Sequence, residues 1–296
     1  MYAVAVMPVL LAAGWRFGQG LPVRPGQLLL FLLAAVLLLA WENLANDVFD
    51  AETGVDATGK PHSLVNLTGR PGRVAALANG CLLAGLALMA LVAWRSSGAV
   101  LALVLACCGL GYLYQGPPFR LGYRGLGEPL CWLAFGPLAT AAGLLALSPA
   151  APATATATAV PWREALLLGS GPALATTLVL FCSHFHQVEE DAAHGKRSPV
   201  VQLGSSRAAG LVPWFVAAAL ALQWGPLLLP AHDQRWPLTA LLGAVGLPPA
   251  RQLIALLRDH HHRADRISGS KFLALRFQAL NGLGLALGLA LGRWWS

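Results

Sequence analysis

The chain has 296 residues, of which 56% are hydrophobic and only 11% are charged. A soluble domain usually carries about 25% charged residues, so this composition excludes an ordinary soluble protein and indicates a polytopic helical membrane protein. The formal net charge of +7 is expected from basic residues that flank membrane helices, so it does not indicate a nucleic-acid partner. The sequence does not indicate a protein partner either.

Long apolar runs predict an all-α membrane protein with about nine transmembrane helices in a single domain, residues 1–296. The predicted spans are 1–14, 27–45, 73–94, 98–115, 126–147, 164–186, 210–230, 237–256 and 273–293. The first run is shorter than the roughly 20 residues that a spanning helix needs, so we expect this helix to extend upstream of Met1. All five cysteines lie in apolar runs and are interpreted as packing residues.

Basic residues are unevenly divided between the two sides of these spans. Loops after even-numbered spans hold twelve Lys and Arg residues, and loops after odd-numbered spans hold five. The positive-inside rule therefore predicts that the even-span loops are cytoplasmic. Two segments on that side, here called the first acidic cluster (residues 43–56) and the second acidic cluster (residues 187–197), hold seven of the 13 acidic residues. Acids beside a membrane cost roughly 2.5–3.5 kcal/mol each, which indicates a function for them.

The first acidic cluster has the residue types of a Mg²⁺–phosphate site. Its amides and carboxylates are spaced by three and four, which predicts one helical face: Asn43, Asn46, Asp47 and Asp50. Mg²⁺ binds one or two carboxylates together with substrate phosphates. Gly54 permits a sharp turn that returns Asp56 toward the same site.

The second acidic cluster repeats this pattern with added cations. Gln187 and Asp191 are four residues apart, with Glu190 close to the same face and Glu189 directed elsewhere. Lys196 and Arg197 follow, and such cations bind phosphate oxygens. Together the two clusters predict a pair of Mg²⁺ ions bridged by a diphosphate. The alternative is that both are solvated loop residues.

A third segment, here called the 112–128 loop, joins spans four and five on the same predicted side. It contains Tyr114, Arg120, Tyr123 and Arg124 among Gly and Pro residues. An aromatic and cationic loop suits a cap over a diphosphate or an aromatic acid. The alternative is a rigid turn with interfacial tyrosines.

At these residues the chain resembles the UbiA superfamily of intramembrane aromatic prenyltransferases. Asn46-Asp47-x-x-Asp50 matches the start of the first Asp-rich motif, and the Gly54-x-Asp56 ending is similar to the branch that prenylates naphthoate or naphthoquinone rings. In the second motif, Gln187 stands where that branch has Asp, while Asp191 is in register. The resemblance covers essentially the whole chain.

The resemblance implies nine helices around a central cavity and a Mg²⁺-dependent reaction in an inner or thylakoid membrane. It implies transfer of a prenyl chain, with phytyl expected, from its diphosphate to a naphthoate or naphthoquinone acceptor with decarboxylation, in phylloquinone or menaquinone biosynthesis. The implied catalytic residues are Asp47, Asp50, Asp191, Tyr114 and Tyr123. The implied metal ligands are Asn46, Asp47, Asp50, Asp56, Gln187, Glu190 and Asp191. The implied substrate contacts are Asn43, Asn46, Lys60, Arg70, Arg120, Arg124, Gln187, Lys196 and Arg197.

Three alternatives stay open from sequence. The same fold can prenylate another acceptor, such as homogentisate or a chlorophyllide. Membrane-embedded acids are also used by cation-coupled transporters, although these acids lie at the membrane face with adjacent cations. A non-catalytic membrane scaffold would leave the paired clusters unexplained.

Overall fold

The computed structural model describes residues 2–55, 60, 63–149, 159–228 and 236–294, and within them every regular element is a helix. Eight helices are long and apolar enough to cross a membrane, and one shorter apolar helix precedes them. This confirms the predicted all-α membrane fold. In chain order the helices are α1 (Ala3–Gly18), α2 (Pro25–Thr53), α3 (Leu64–Thr68), α4 (Pro71–Trp94), α5 (Gly98–Gln115), α6 (Gly127–Leu147), α7 (Trp162–Ser183), α8 (Val188–Ala193), α9 (Pro199–Leu203), α10 (Ser205–Leu228), α11 (Leu238–His260) and α12 (Ala264–Trp294).

Helix α2 extends well beyond its predicted span of 27–45 and includes most of the first acidic cluster. Gly54 ends it in the left-handed conformation, with φ of 76°, and its backbone N–H is bonded to the carbonyl of Ala51. Glycine adopts this conformation without the steric cost that a side chain would add. The prediction of a sharp turn at Gly54 is therefore confirmed.

Small residues allow the helices to approach one another closely. A Cβ atom added at Gly14 or Gly18 of α1 would collide with the backbone of Ala286 or Leu289 in α12. Such close backbone contact is how membrane helices gain packing energy where water-driven association is weak. One buried polar cross-link also joins α10 to α12, because Gln223 and Asn281 exchange two amide hydrogen bonds of 2.7 and 2.9 Å.

Helix α6 is distorted in its middle, where residues 134–138 form a π-helical segment that contains Gly136 and Pro137. Proline removes a helical hydrogen bond and displaces the preceding turn, which accounts for the distortion. Ala134 and Phe135 of this segment line the central cavity. The irregular backbone therefore lies against protein and cavity.

Candidate active site

A central cavity of about 270 Å³ is lined mainly by α2, α5, α6 and α7. On α2 the lining residues run from Phe31 to Asp50, which corresponds to about 28 Å of helix. The Phe31 end is apolar and includes Met89 and Val104 from neighbouring helices. The other end is polar, with lining residues Asn43, Asn46, Asp50, Lys60, Tyr114, His184, His186, Gln187, Lys196 and Lys271.

Asp50 is the carboxylate of the first acidic cluster that lines this cavity. It is 3% exposed, and its Oδ1 accepts a 2.9 Å hydrogen bond from the Tyr123 hydroxyl. The Thr53 hydroxyl lies 2.8 Å from the same Tyr123 oxygen. One and two turns earlier along α2, Asn46 and Asn43 also line the cavity, so these three positions share a face as the spacing predicted.

Asp47 has a different environment from Asp50. Its Oδ1 is 2.6 Å from Nζ of Lys60, and its Oδ2 accepts a 2.8 Å hydrogen bond from the backbone N–H of Leu64. Asp47 is buried and does not line the cavity, whereas Lys60 does. The carboxylate thus fixes Lys60 and the start of α3 beside the polar end of the cavity.

Asp191 of the second acidic cluster is fully buried. Its Oδ1 lies 3.2 Å from Nζ of Lys196, and its Oδ2 lies 3.5 Å from Nδ1 of His184. Nε2 of His184 in turn lies 3.6 Å from a carboxylate oxygen of Glu128. A buried carboxylate needs such partners, because an isolated charge away from water is very costly.

Tyr123 joins the two acidic clusters. Besides its bond to Asp50, its ring centroid lies 5.7 Å from Nζ of Lys196 and 5.7 Å from the guanidinium carbon of Arg120. Its backbone carbonyl accepts a 2.8 Å hydrogen bond from the N–H of Arg197. Burial, and then the negative charge of Asp50, raise the pKa of Tyr123 above its ordinary value, so it remains a neutral hydrogen-bond donor at physiological pH.

The remaining predicted site residues are distributed around this core. Tyr114 and Gln187 line the cavity, and Glu190 is partly buried in α8. Arg120 lies at the rim, where its guanidinium is 3.3 Å from Glu52. Three predicted phosphate or carboxylate contacts are exposed and do not line the cavity: Arg70, Arg124 and Arg197. Asp56 lies outside the described residues.

Four lining or supporting residues were not assigned to the site from sequence. His184, directly after α7, contacts Asp191 and is itself paired with Glu128 of α6, 56 positions away in the chain. Lys271 contributes a third lysine from α12, and Glu42 adds a carboxyl one turn before Asn46. The sequence feature that could have identified two of them is that Glu42 and Glu128 are acidic residues inside otherwise apolar spans.

The oxygen atoms at the polar end of the cavity are of the kind that Mg²⁺ binds. Within the described part of the chain, no group of three or more His, Cys, Asp or Glu side chains could hold a metal ion. Asp50 with the amides of Asn46 and Gln187 does fit Mg²⁺ bound partly through substrate phosphates, since that ion needs only one or two carboxylates and retains several waters.

Comparison with known proteins agrees with this geometry. The model of the UbiA prenyltransferase family matches residues 5–277, and the chain belongs to this family. It is 38% identical to a 2-carboxy-1,4-naphthoquinone phytyltransferase of Synechocystis sp., over 97% of this chain and 89% of that protein. It is 37% identical to a chloroplastic 2-carboxy-1,4-naphthoquinone phytyltransferase of Arabidopsis thaliana, over 99% of this chain and 75% of that protein.

The fold is also shared with a solved structure. A chain from a study of digeranylgeranylglyceryl phosphate synthase in membranes superposes with a TM-score of 0.59 at 17% identity, and the match covers 97% of each chain. This likeness shows that the two chains share their fold, and the apolar helices together with the family match show an integral, multi-pass membrane protein.

Proposed function

We propose that the protein transfers a phytyl chain from its diphosphate to 2-carboxy-1,4-naphthoquinone or to the reduced form, 1,4-dihydroxy-2-naphthoate. The similarity to two phytyltransferases over nearly the whole chain supports this reaction. The observation that carries the proposal is that the central cavity has Asp50, Lys60 and Lys196 at one end and an apolar lining at the other. A prenyl diphosphate has the same division between a charged head and an apolar tail.

In this proposal the diphosphate binds at the polar end of the cavity. Lys60 and Lys196 contact phosphate oxygens, and Asp47 and Asp191 hold these two lysines in position. The residues that would hold Mg²⁺ on the diphosphate are Asp50, Asn46 and Gln187. Further candidates are Asp56, Glu190 and Asp191. Bound Mg²⁺ would neutralise charge on the leaving diphosphate.

The reaction then breaks the bond between the first prenyl carbon and the diphosphate oxygen, and the electron pair leaves with the diphosphate. Tyr114 lines the cavity close to this point and can stabilise the allylic cation through its ring. The ring carbon that bears the carboxylate attacks the cation. The carboxyl group then leaves as CO₂ and returns its electron pair to the ring, so atoms and charge balance.

We also propose that the polar end of the cavity faces the cytoplasm. The distribution of twelve basic loop residues against five supports this orientation. Arg120 at the rim, and Arg124 beyond it, would then meet the acceptor as it arrives from that side.

The test is an assay of the purified protein in lipid with Mg²⁺, prenyl diphosphates of different lengths, and either 1,4-dihydroxy-2-naphthoate or homogentisate. We expect a prenylated 1,4-naphthoquinol, CO₂ and diphosphate in equal amounts, with phytyl diphosphate as the preferred donor. Turnover of homogentisate without turnover of the naphthoate would contradict the proposed acceptor.

A further inference from the structure

Glu42 carries a carboxyl group that the proposed mechanism does not use. It belongs to membrane-spanning helix α2 and lines the central cavity. Its backbone carbonyl accepts a 2.9 Å hydrogen bond from the Gln115 side chain. Within the described part of the chain, its carboxyl oxygens have neither a hydrogen-bond donor nor a counter-ion.

The surroundings of this carboxyl offer it little stabilisation. Cys107, Cys108 and Cys131 lie close enough to interact electrostatically with it, and thiols are weak hydrogen-bond donors. Gly111 also lies beside this carboxyl, and it has no side chain that could donate a hydrogen bond. A polar group in such a place costs free energy unless it is hydrogen-bonded, and polar groups inside membrane spans are usually functional.

The position of Glu42 along α2 suggests what its partner is. Glu42 is four residues before Asn46 and eight before Asp50, which places it about 6 and 12 Å deeper along the helix axis. Positions spaced by four lie on one face, and all three residues line the same cavity. A group bound at Glu42 would therefore lie beyond the diphosphate, next to the reacting prenyl carbon.

The acceptor ring is the substrate that brings polar groups to this depth, since the prenyl tail has none. When a ring carbon attacks the prenyl cation, positive charge spreads to the ring oxygens, and a hydroxyl there becomes a stronger hydrogen-bond donor. A carboxyl group can accept that bond in either of its protonation states. The interaction would strengthen in the transition state, which is the condition for it to accelerate the reaction.

We propose that the Glu42 carboxyl hydrogen-bonds a ring oxygen of the naphthalene acceptor and thereby selects acceptors that carry an oxygen at that position. This inference rests on the proposed function and adds to it a residue that recognises the acceptor. Glu42 is then a catalytic residue for the acceptor half-site, separate from the residues that bind diphosphate.

The test compares the wild type with Glu42→Ala on three acceptors: 1,4-dihydroxy-2-naphthoate and its two analogues that lack one hydroxyl each. Removing a hydroxyl also changes ring reactivity, but the ratio measured in Glu42→Ala corrects for that. The quantity compared is the ratio of kcat/KM for the parent acceptor to kcat/KM for each analogue. For one of the two analogues we expect this ratio to be at least about 10-fold larger in the wild type than in Glu42→Ala. The KM for prenyl diphosphate should stay unchanged.

Two further variants keep the test decisive. Glu42→Gln preserves the shape of the side chain, so it serves if Glu42→Ala does not fold, and it should lower kcat/KM for the parent acceptor. Glu164→Ala, at the start of α7, is the matched control and should keep the wild-type ratios. Equal acceptor ratios in the wild type and the Glu42 variants would overturn the assignment of Glu42. Absence of any prenylated product from the wild type with 1,4-dihydroxy-2-naphthoate would instead overturn the proposed function.

Discussion

The two acidic clusters lie at the same end of the cavity but are built differently. The first lies on a continuous spanning helix, and its central carboxylate, Asp50, faces the cavity. The second lies on the short helix α8, and its central carboxylate, Asp191, is fully buried behind Lys196 and His184. Similar motifs are therefore built for different positions: the first has a carboxylate that faces the cavity, and the second has a buried carboxylate paired with a lysine that lines the cavity.

Because of this difference, substitutions in the two clusters should affect turnover and folding stability to different extents. Asp50→Asn removes the charge but keeps a side-chain oxygen that can accept the hydrogen bond from the Tyr123 hydroxyl at the cavity. In the buried pair of Asp191 and Lys196, removing one partner instead leaves an uncompensated charge inside the protein. Changes in the first cluster should therefore act mainly on turnover, and changes in the second should act on turnover and folding together.

The largest effect on activity is expected for Asp50→Asn. Removing this charge beside the reacting diphosphate should lower kcat/KM for the prenyl diphosphate by about 10²- to 10³-fold, with little change in the melting temperature. The control is Asp259→Asn, which alters an exposed carboxylate paired with Arg258. Near-normal turnover of Asp50→Asn in a membrane assay would remove Asp50 from the diphosphate site.

The largest effect on stability is expected for Lys196→Met, which leaves Asp191 without its main counter-ion. The loss should be about 3 kcal/mol in the free energy of unfolding, measured by denaturation in detergent. Lys60→Met is the matched comparison, because its pair with Asp47 is partly exposed, with side-chain exposures of 23% and 12%. That variant should lose less than Lys196→Met, because water reaches this pair more easily than the more deeply buried one, and equal losses would contradict the contrast between the clusters.

A smaller effect is expected for Tyr123→Phe, which removes the hydroxyl that joins Asp50 to Thr53. One lost hydrogen bond to a charged group is worth about 1.5 kcal/mol, or roughly a tenfold fall in kcat/KM. Tyr112→Phe is the control in the same loop, since that hydroxyl bonds the exposed carbonyl of Pro117. If both variants have the same activity, Tyr123 does not support the site.

The smallest effect is expected for Glu52→Gln, which breaks the rim pair with Arg120. Ion pairs of this kind are screened by water and salt, so kcat/KM should change by less than about threefold. A steady-state assay at low and high ionic strength measures this. A loss as large as that of Asp50→Asn would show that the rim belongs to the reacting site.

Much of this architecture follows from sequence. The apolar runs predicted the helices, and spacing by three and four predicted that Asn43, Asn46 and Asp50 share a face, because helical periodicity is a local property. The same spacing predicted that Asp47 shares this face, but Asp47 does not line the cavity. It could not reveal that Asp47 pairs with Lys60 and Leu64, which depends on how the chain folds back after Gly54.

The support behind the second cluster depends on tertiary contacts that no local pattern encodes. His184 meets Glu128 only because α7 packs against α6. Arg70 was predicted to bind phosphate because it is a nearby cation, but it is exposed ahead of α4 and does not line the cavity. Charge and loop position alone could not distinguish it from Lys60 or from Lys271, which does line the cavity.

The most direct test of the central claim is calorimetric binding of a non-hydrolysable prenyl thiolodiphosphate, with and without Mg²⁺. If both clusters serve one diphosphate, the wild type should bind it in a Mg²⁺-dependent manner. Asp50→Asn should lose that dependence, and folded Asp191→Asn should bind the diphosphate more weakly, because Asp191 positions Lys196. Wild-type affinity and Mg²⁺ dependence in either variant would contradict a site shared by the two clusters.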